Sequence, residues 1–174
     1  MPTVKYNVDM VSQQYSPVCW LACTAMLIQF KRRVTPSAEM LGLSPNDDFR
    51  TPQTVRDYGN AELAHMRRLG LKHARASALS VDTTFGQSMI YQQLRQHGPF
   101  ILHHFCGSFW YGPGVVVPTS GGHSVLVVGT DTDRGCVWFN NPWGTSDIMT
   151  TTNSIVNAIE RWERNISNMS ISYM

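Results

Sequence analysis

The sequence predicts an α+β chain. Three observations carry this: an apolar helical stretch after Pro17, strand-like runs beyond Gly98-Pro99, and a composition suited to one packed core. The 174 residues are 43% hydrophobic and 15% charged, which is ordinary globular material for one domain spanning 1–174. A helical part of about 1–98 precedes a sheet part of about 99–174.

Each element follows from pattern. Cys19, Cys23, Met26, Leu27 and Phe30 recur at helical spacing, predicting a helix from about Val18 to Lys31. Leu21, Ala25 and Ile28 make its other side apolar, so it belongs in the middle of the domain. Lys31-Arg32-Arg33 then complements the helix C-terminal dipole. Thr35 to Asn60 is polar and broken by Pro36, Pro45 and Pro52, predicting loops and short helices. Thr54 to Leu69 reads as a helix stopped by Gly70, and Thr84 to His97 as one ended by Gly98-Pro99. Strands are expected at Phe100–Cys106, Val115–Val117, Ser124–Gly129, Cys136–Asn140 and Met169–Tyr173, and a last helix at Ser154–Arg164.

Several function classes are disfavoured by bulk properties. Fourteen basic against twelve acidic residues give a net charge of +2, too balanced for a nucleic-acid or anionic-membrane binder. The start, MPTVKYNVDM, has no apolar core of signal-peptide type, and no apolar run reaches the ~18 residues of a membrane span. A soluble protein without a cleaved signal is expected. Four cysteines in this length do not make a disulfide scaffold, and Cys19 and Cys23, one helical turn apart, are expected as thiols. On a strand His104 and Cys106 share a face while His103 points away, leaving too few ligands for zinc; no metal or cofactor is expected.

The stretch SPVCWLACTAM, from Ser16, sets a thiol at a helix start. Buried packing accounts for many cysteines, but a helix N-terminus also favours a thiolate nucleophile. Such a nucleophile needs a base, and the base an orienting partner. Val125-Leu126-Val127-Val128 reads as a strand covered on both faces, Asp131 to Gly135 as a turn, and Val137-Trp138-Phe139 as the return. A hairpin centred near Thr132 or Asp133 sets His123 opposite Asn141 or Pro142; within a residue or two of register, Asn140 or Asn141 can face it. An asparagine oxygen can accept from the imidazole N–H and hold the ring. For a developing oxyanion the Cys19 backbone amide is one donor, and Gln13 or Gln14 could supply a second. Cys23, Cys106 and Cys136 read as structural. The loops Tyr111–Gly114 and Thr119–Gly122 either line a cleft beside His123 or only join strands.

In order, Gln, Cys-Trp, Gly-Gly-His before an apolar strand, and Asn-Pro-Trp-Gly resemble a papain-like cysteine peptidase. The resemblance runs from Val11 to Gly144, and QLRQHGPFILHHF from Gln93 resembles bacteriocin-leader-processing peptidases. It implies Cys19 as nucleophile, His123 as base and acid, Asn141 as orienter, and Gln13 in preference to Gln14 in the oxyanion hole. Trp143 would shield the His–Asn hydrogen bond. It also implies a papain-like arrangement, an N-terminal helical lobe carrying the central Cys helix packed on a C-terminal antiparallel sheet lobe. The chain departs from papain in its shorter length, in Ser16-Pro17-Val18 before the nucleophile, and in Asn where leader-processing enzymes commonly carry Asp.

The expected activity is hydrolysis of peptide bonds in a protein substrate by a monomer. Compact chains of this kind resemble bacterial effector toxins, delivered by a secretion system into a target cell and restrained in the producer by an immunity protein. A peptidoglycan stem-peptide amidase or a protein deamidase uses the same thiol chemistry. A catalytically inactive binding module is the alternative from another class.

Overall fold

The computed structural model describes residues 3–13, 18–43, 62–76, 85–115, 121–166 and 169–174. The first helix, α1, spans Cys19–Arg32, with every residue from Cys19 to Ile28 buried. It begins and ends within one residue of expectation because its composition demands burial on all sides. Lys31 and Arg32 occupy the last turn, and Arg33 closes it in the left-handed region. A 3-10 turn at Glu39–Leu41 follows, then α2 (Glu62–Arg68), α3 (Phe85–His97) and α4 (Thr152–Asn165). Gly70 and Gly98 end α2 and α3, as their positions imply; the expected extensions over 54–61 and at Thr84 lie outside the described residues.

Among the described residues, seven strands make one antiparallel sheet: β1 (Thr3–Lys5), β2 (Lys72–Ala74), β3 (Phe100–Phe105), β4 (Gly122–Asp131), β5 (Cys136–Asn141), β6 (Thr145–Thr151) and β7 (Ile171–Tyr173). Their order is β2-β7-β3-β4-β5-β6, and β1 pairs with the far end of β4. The front half therefore supplies β1 and β2, although pattern placed every strand after Pro99. Three-residue strands are too short to show alternation. The polar strand β6, TSDIMTT, carries no apolar alternation either; only Ile148 in it is buried. Val115 lies outside any strand, and Val116 and Val117 lie outside the described residues.

The sheet carries helices on both faces. Ile101, Leu126 and Val128 pack into one core with α1. Phe100, Leu102, Val125 and Val127 point the other way, into a core with Ile90 and Leu94 of α3 and Ile155 and Ile159 of α4. The apolar run in β4 is thus read by alternation, one half to each core. Gly129 lets β1 approach: a Cβ there would lie 2.8 Å from the Val4 carbonyl oxygen.

Asn140 is a structural clasp. Its Nδ2 donates to the Val8 carbonyl at 3.1 Å, and its Oδ1 accepts from the Asp147 backbone N–H at 3.0 Å. The N-terminal segment is thereby tied to both β5 and β6. Asn140→Ala is expected to cost about 1–3 kcal/mol, because two backbone groups lose their partner. Thermal unfolding should show this as a fall of several degrees.

Candidate active site

Cys19 is the first residue of α1 and only 7% exposed. Val18 precedes it with non-helical dihedrals, and among the described residues no side chain caps the helix and no acid sits in its first turn. The positive end of the helix dipole therefore meets the thiol without a competing carboxylate. One turn along, the Cys23 thiol donates to the Ser124 carbonyl at 3.4 Å. That contact lays the first turns of α1 beside the start of β4, where His123 stands.

The β4–β5 hairpin is centred later than its sequence implied. Asp131 pairs with Cys136 and Leu126 with Asn140, so the turn centres between Asp133 and Arg134. The Asp131 carboxylate accepts from the backbone N–H groups of Asp133 and Arg134, a local bond that shifts the turn. An irregularity between Val127 and Gly129 shifts the register once more. His123 nevertheless reaches Asn141 diagonally: its Nε2 lies 3.0 Å from Oδ1. The same Oδ1 accepts from the Trp143 backbone N–H at 3.3 Å. The Trp143 N–H can only donate, which marks that atom as the amide oxygen, so His123 donates to it from Nε2 and presents the lone pair at Nδ1. Burial lowers the His123 pKa to about 4, a fall partly offset by the Asn141 bond. At neutral pH the ring is an uncharged base.

Gln13 is held against the turn that joins β5 to β6. Its backbone N–H donates to the Pro142 carbonyl at 2.7 Å, and its side chain is buried. Gly144 packs close to Ser12, where a Cβ would lie 3.3 Å from the hydroxyl oxygen. Gln14 lies outside the described residues. Trp143 is half-buried beside Asn141, and its indole N–H is buried.

The remaining candidates are engaged elsewhere. His103 faces the α1 side, where its nitrogens meet the Ser124 and Ser172 hydroxyls at 2.9 and 2.7 Å. His104 takes the opposite face, directly across the ladder from His123. Its Nδ1 lies 2.7 Å from the Phe105 carbonyl and 3.2 Å from the Tyr111 hydroxyl. Among the described residues no group of three His, Cys, Asp or Glu could hold a metal ion. All four cysteines are thiols, Cys106 half-buried and Cys19, Cys23 and Cys136 buried. Of the two loops, the first brings Tyr111 against His123, with ring centroids 5.4 Å apart; Thr119 and Ser120 lie outside the described residues. The loop's aromatic content was the only sequence signal for this contact.

The model of the Peptidase_C39 like family matches residues 5–170. Curated proteins show no significant match. No helix among the described residues is long and apolar enough to cross a membrane.

The two buried imidazoles make stability pH-dependent. Burial holds His123 at about 4 and, with the charge of His123 as a smaller cause, His104 at about 3, below the ordinary 6.5. Between those values the unfolded chain binds protons that the folded chain refuses. The stability is therefore complete above about pH 6.5 and is lost as pH falls toward 4 and then 3. Urea unfolding at pH 7.5 and 4.5 should differ by a few kcal/mol, on the order of those shifts. His104→Gln, which cannot titrate, should narrow the difference.

Proposed function

The chain belongs to the Peptidase_C39 like family and is a cysteine peptidase, a hydrolase; on that premise we propose that it cleaves peptide bonds of a protein substrate through Cys19, His123 and Asn141. The observation carrying this reading is the His123–Asn141 hydrogen bond through Nε2, which leaves Nδ1 as the basic nitrogen. The Cys19 thiol lies near enough to Tyr111 for its charge to bear on the phenol, and Tyr111 stands against His123, which supports a short path between that nitrogen and the thiol. The arrangement would be papain-like, with the Cys helix packed on the sheet that bears the histidine.

In this mechanism His123 Nδ1 takes the Cys19 proton as the sulfur adds to the scissile carbonyl carbon. The Asn141 oxygen stabilises the imidazolium and holds its plane. The oxyanion is met by the Cys19 backbone N–H and the Gln13 side-chain amide, an electrostatic contribution worth about 100- to 1,000-fold per donor. His123 then protonates the leaving amine, and water, deprotonated by the same ring, releases the acyl group. Trp143 covers the His–Asn bond, where exclusion of water strengthens it.

Cys19→Ala is expected to abolish hydrolysis of a denatured protein substrate while leaving the melting temperature within a few degrees. Asn141→Ala should leave a slow enzyme, down about 10- to 100-fold, because the ring is no longer held. Gln13→Ala should lower kcat about 100-fold while keeping the backbone bond to Pro142. An epoxide thiol inhibitor should label one cysteine, Cys19. Absence of labelling would favour an inactive binding module.

The biological role that goes with this chemistry is that of an effector toxin in a target cell, restrained by an immunity protein in the producer; it rests on the resemblance to compact papain-like effectors. Inducible expression in bacterial cytoplasm should be toxic for the wild type and harmless for Cys19→Ala. Toxicity confined to a periplasm-directed form would instead indicate a peptidoglycan stem-peptide amidase.

A further inference from the structure

Among the described residues, His123 is held at Nε2 by a single side-chain bond, to Asn141. That bond is a weak brake on one motion. The terminal torsion of histidine is broad, and turning the ring about its Cβ–Cγ axis moves Nδ1 farther than Nε2. A second constraint is needed if Nδ1 is to stay directed at a thiol.

The structure contains one. The Tyr111 ring stands perpendicular to the His123 ring at 5.4 Å, and the His104 ring is likewise perpendicular at 5.6 Å. Tyr111 and His104 stack on each other at 5.6 Å with an interplanar angle of 22°. The wall so formed is backed by Phe139 and Phe109. Both wall residues are anchored. His104 Nδ1–H donates to the Phe105 carbonyl at 2.7 Å, and the Tyr111 hydroxyl donates to the same oxygen at 3.4 Å. The Ser108 hydroxyl joins them there at 2.6 Å, folding the loop back on itself. Gly112, at φ 108°, lets the chain leave against β6, where a Cβ would lie 3.0 Å from the Thr145 methyl carbon.

We propose that Tyr111, braced by His104, is a positioning residue that holds the His123 imidazole plane for proton transfer from Cys19. The inference rests on the peptidase mechanism above and adds to it a residue outside the Cys–His–Asn set. Its electrostatics agree. His104 stays neutral, held at about 3 chiefly by burial, so it does not repel an imidazolium. The Tyr111 phenol is pushed up by burial first, then by charge on Cys106 and, more weakly, on Cys19, so it remains a neutral donor. Among the described residues, the groups facing His123 are His104 from β3, Asn141 from β5 and Tyr111 from the loop, with the Cys19 and Cys106 thiols within electrostatic reach of Tyr111.

Iodoacetamide alkylation of Cys19, followed by mass spectrometry across pH, tests this. At pH 7 the wild type should react faster than His123→Ala. Tyr111→Leu should fall about 10-fold below the wild type, and Tyr111→Phe, which keeps the ring, should stay within about twofold. Near pH 10, where the thiol ionises unaided, the three Tyr111 forms should converge. A merely structural role would not produce that convergence. Should Tyr111→Leu not fold, Tyr111→Met carries the same comparison. Wild-type reactivity at pH 7 in both the Leu and Met variants overturns the proposal. Equal rates for the wild type and His123→Ala overturn the peptidase mechanism itself, and this inference with it.

Discussion

The structure depends on the complete burial of the first turns of α1. Ten consecutive residues, Cys19 to Ile28, are buried, and from Trp20 onward none has a face left for water. Such a helix is stable only with material on every side, and the chain supplies it from β3, β4, the N-terminal segment and Met66 of α2. Fully burying a Leu, Ile or Met side chain is worth about 1.5–3 kcal/mol, and α1 buries Leu21, Met26, Leu27 and Ile28. That packing fixes the helix axis, and with it the position of Cys19. A thiol at the end of a rigid buried rod needs no loop to hold it.

The second consequence concerns polar groups. Ahead of Val125 the β4 strand has no apolar side chains, and Ser124 and His123 stand at the edge of the two cores. Each finds a neighbour of matching chemistry: Ser124 bonds His103 on the α1 side, and His123 bonds Asn141 on the other. The low dielectric that keeps both His104 and His123 neutral also strengthens the bonds that orient them. A site built this way trades stability at low pH for a base that is uncharged at neutral pH.

The family, rather than the fold, sets the reaction class. The loop after β3 faces two ways. Phe109 and Tyr111 turn inward onto His104, Phe139 and His123, while Trp110 between them is 60% exposed. One short segment thus faces the histidine with one side and solvent with the other.

The sequence by itself determined the elements whose signal is local. Helical spacing set α1, glycines set the ends of α2 and α3, and an unbroken apolar run announced a strand covered on both faces. The hairpin count also brought His123 within reach of the paired asparagines, because a turn and two strands constrain residues on either side of it. Tertiary structure decided the rest. It chose which asparagine faces the histidine, sending Asn140 to Val8 and Asp147 and leaving Asn141 for His123. It also created β1, β2 and β6, seated Gln13 on the Pro142 carbonyl, and closed Tyr111 over the imidazole. The physical reason is common to all of these. Periodicity reports only neighbours two to four residues apart, whereas short strands and loops take their conformation from partners distant in the chain.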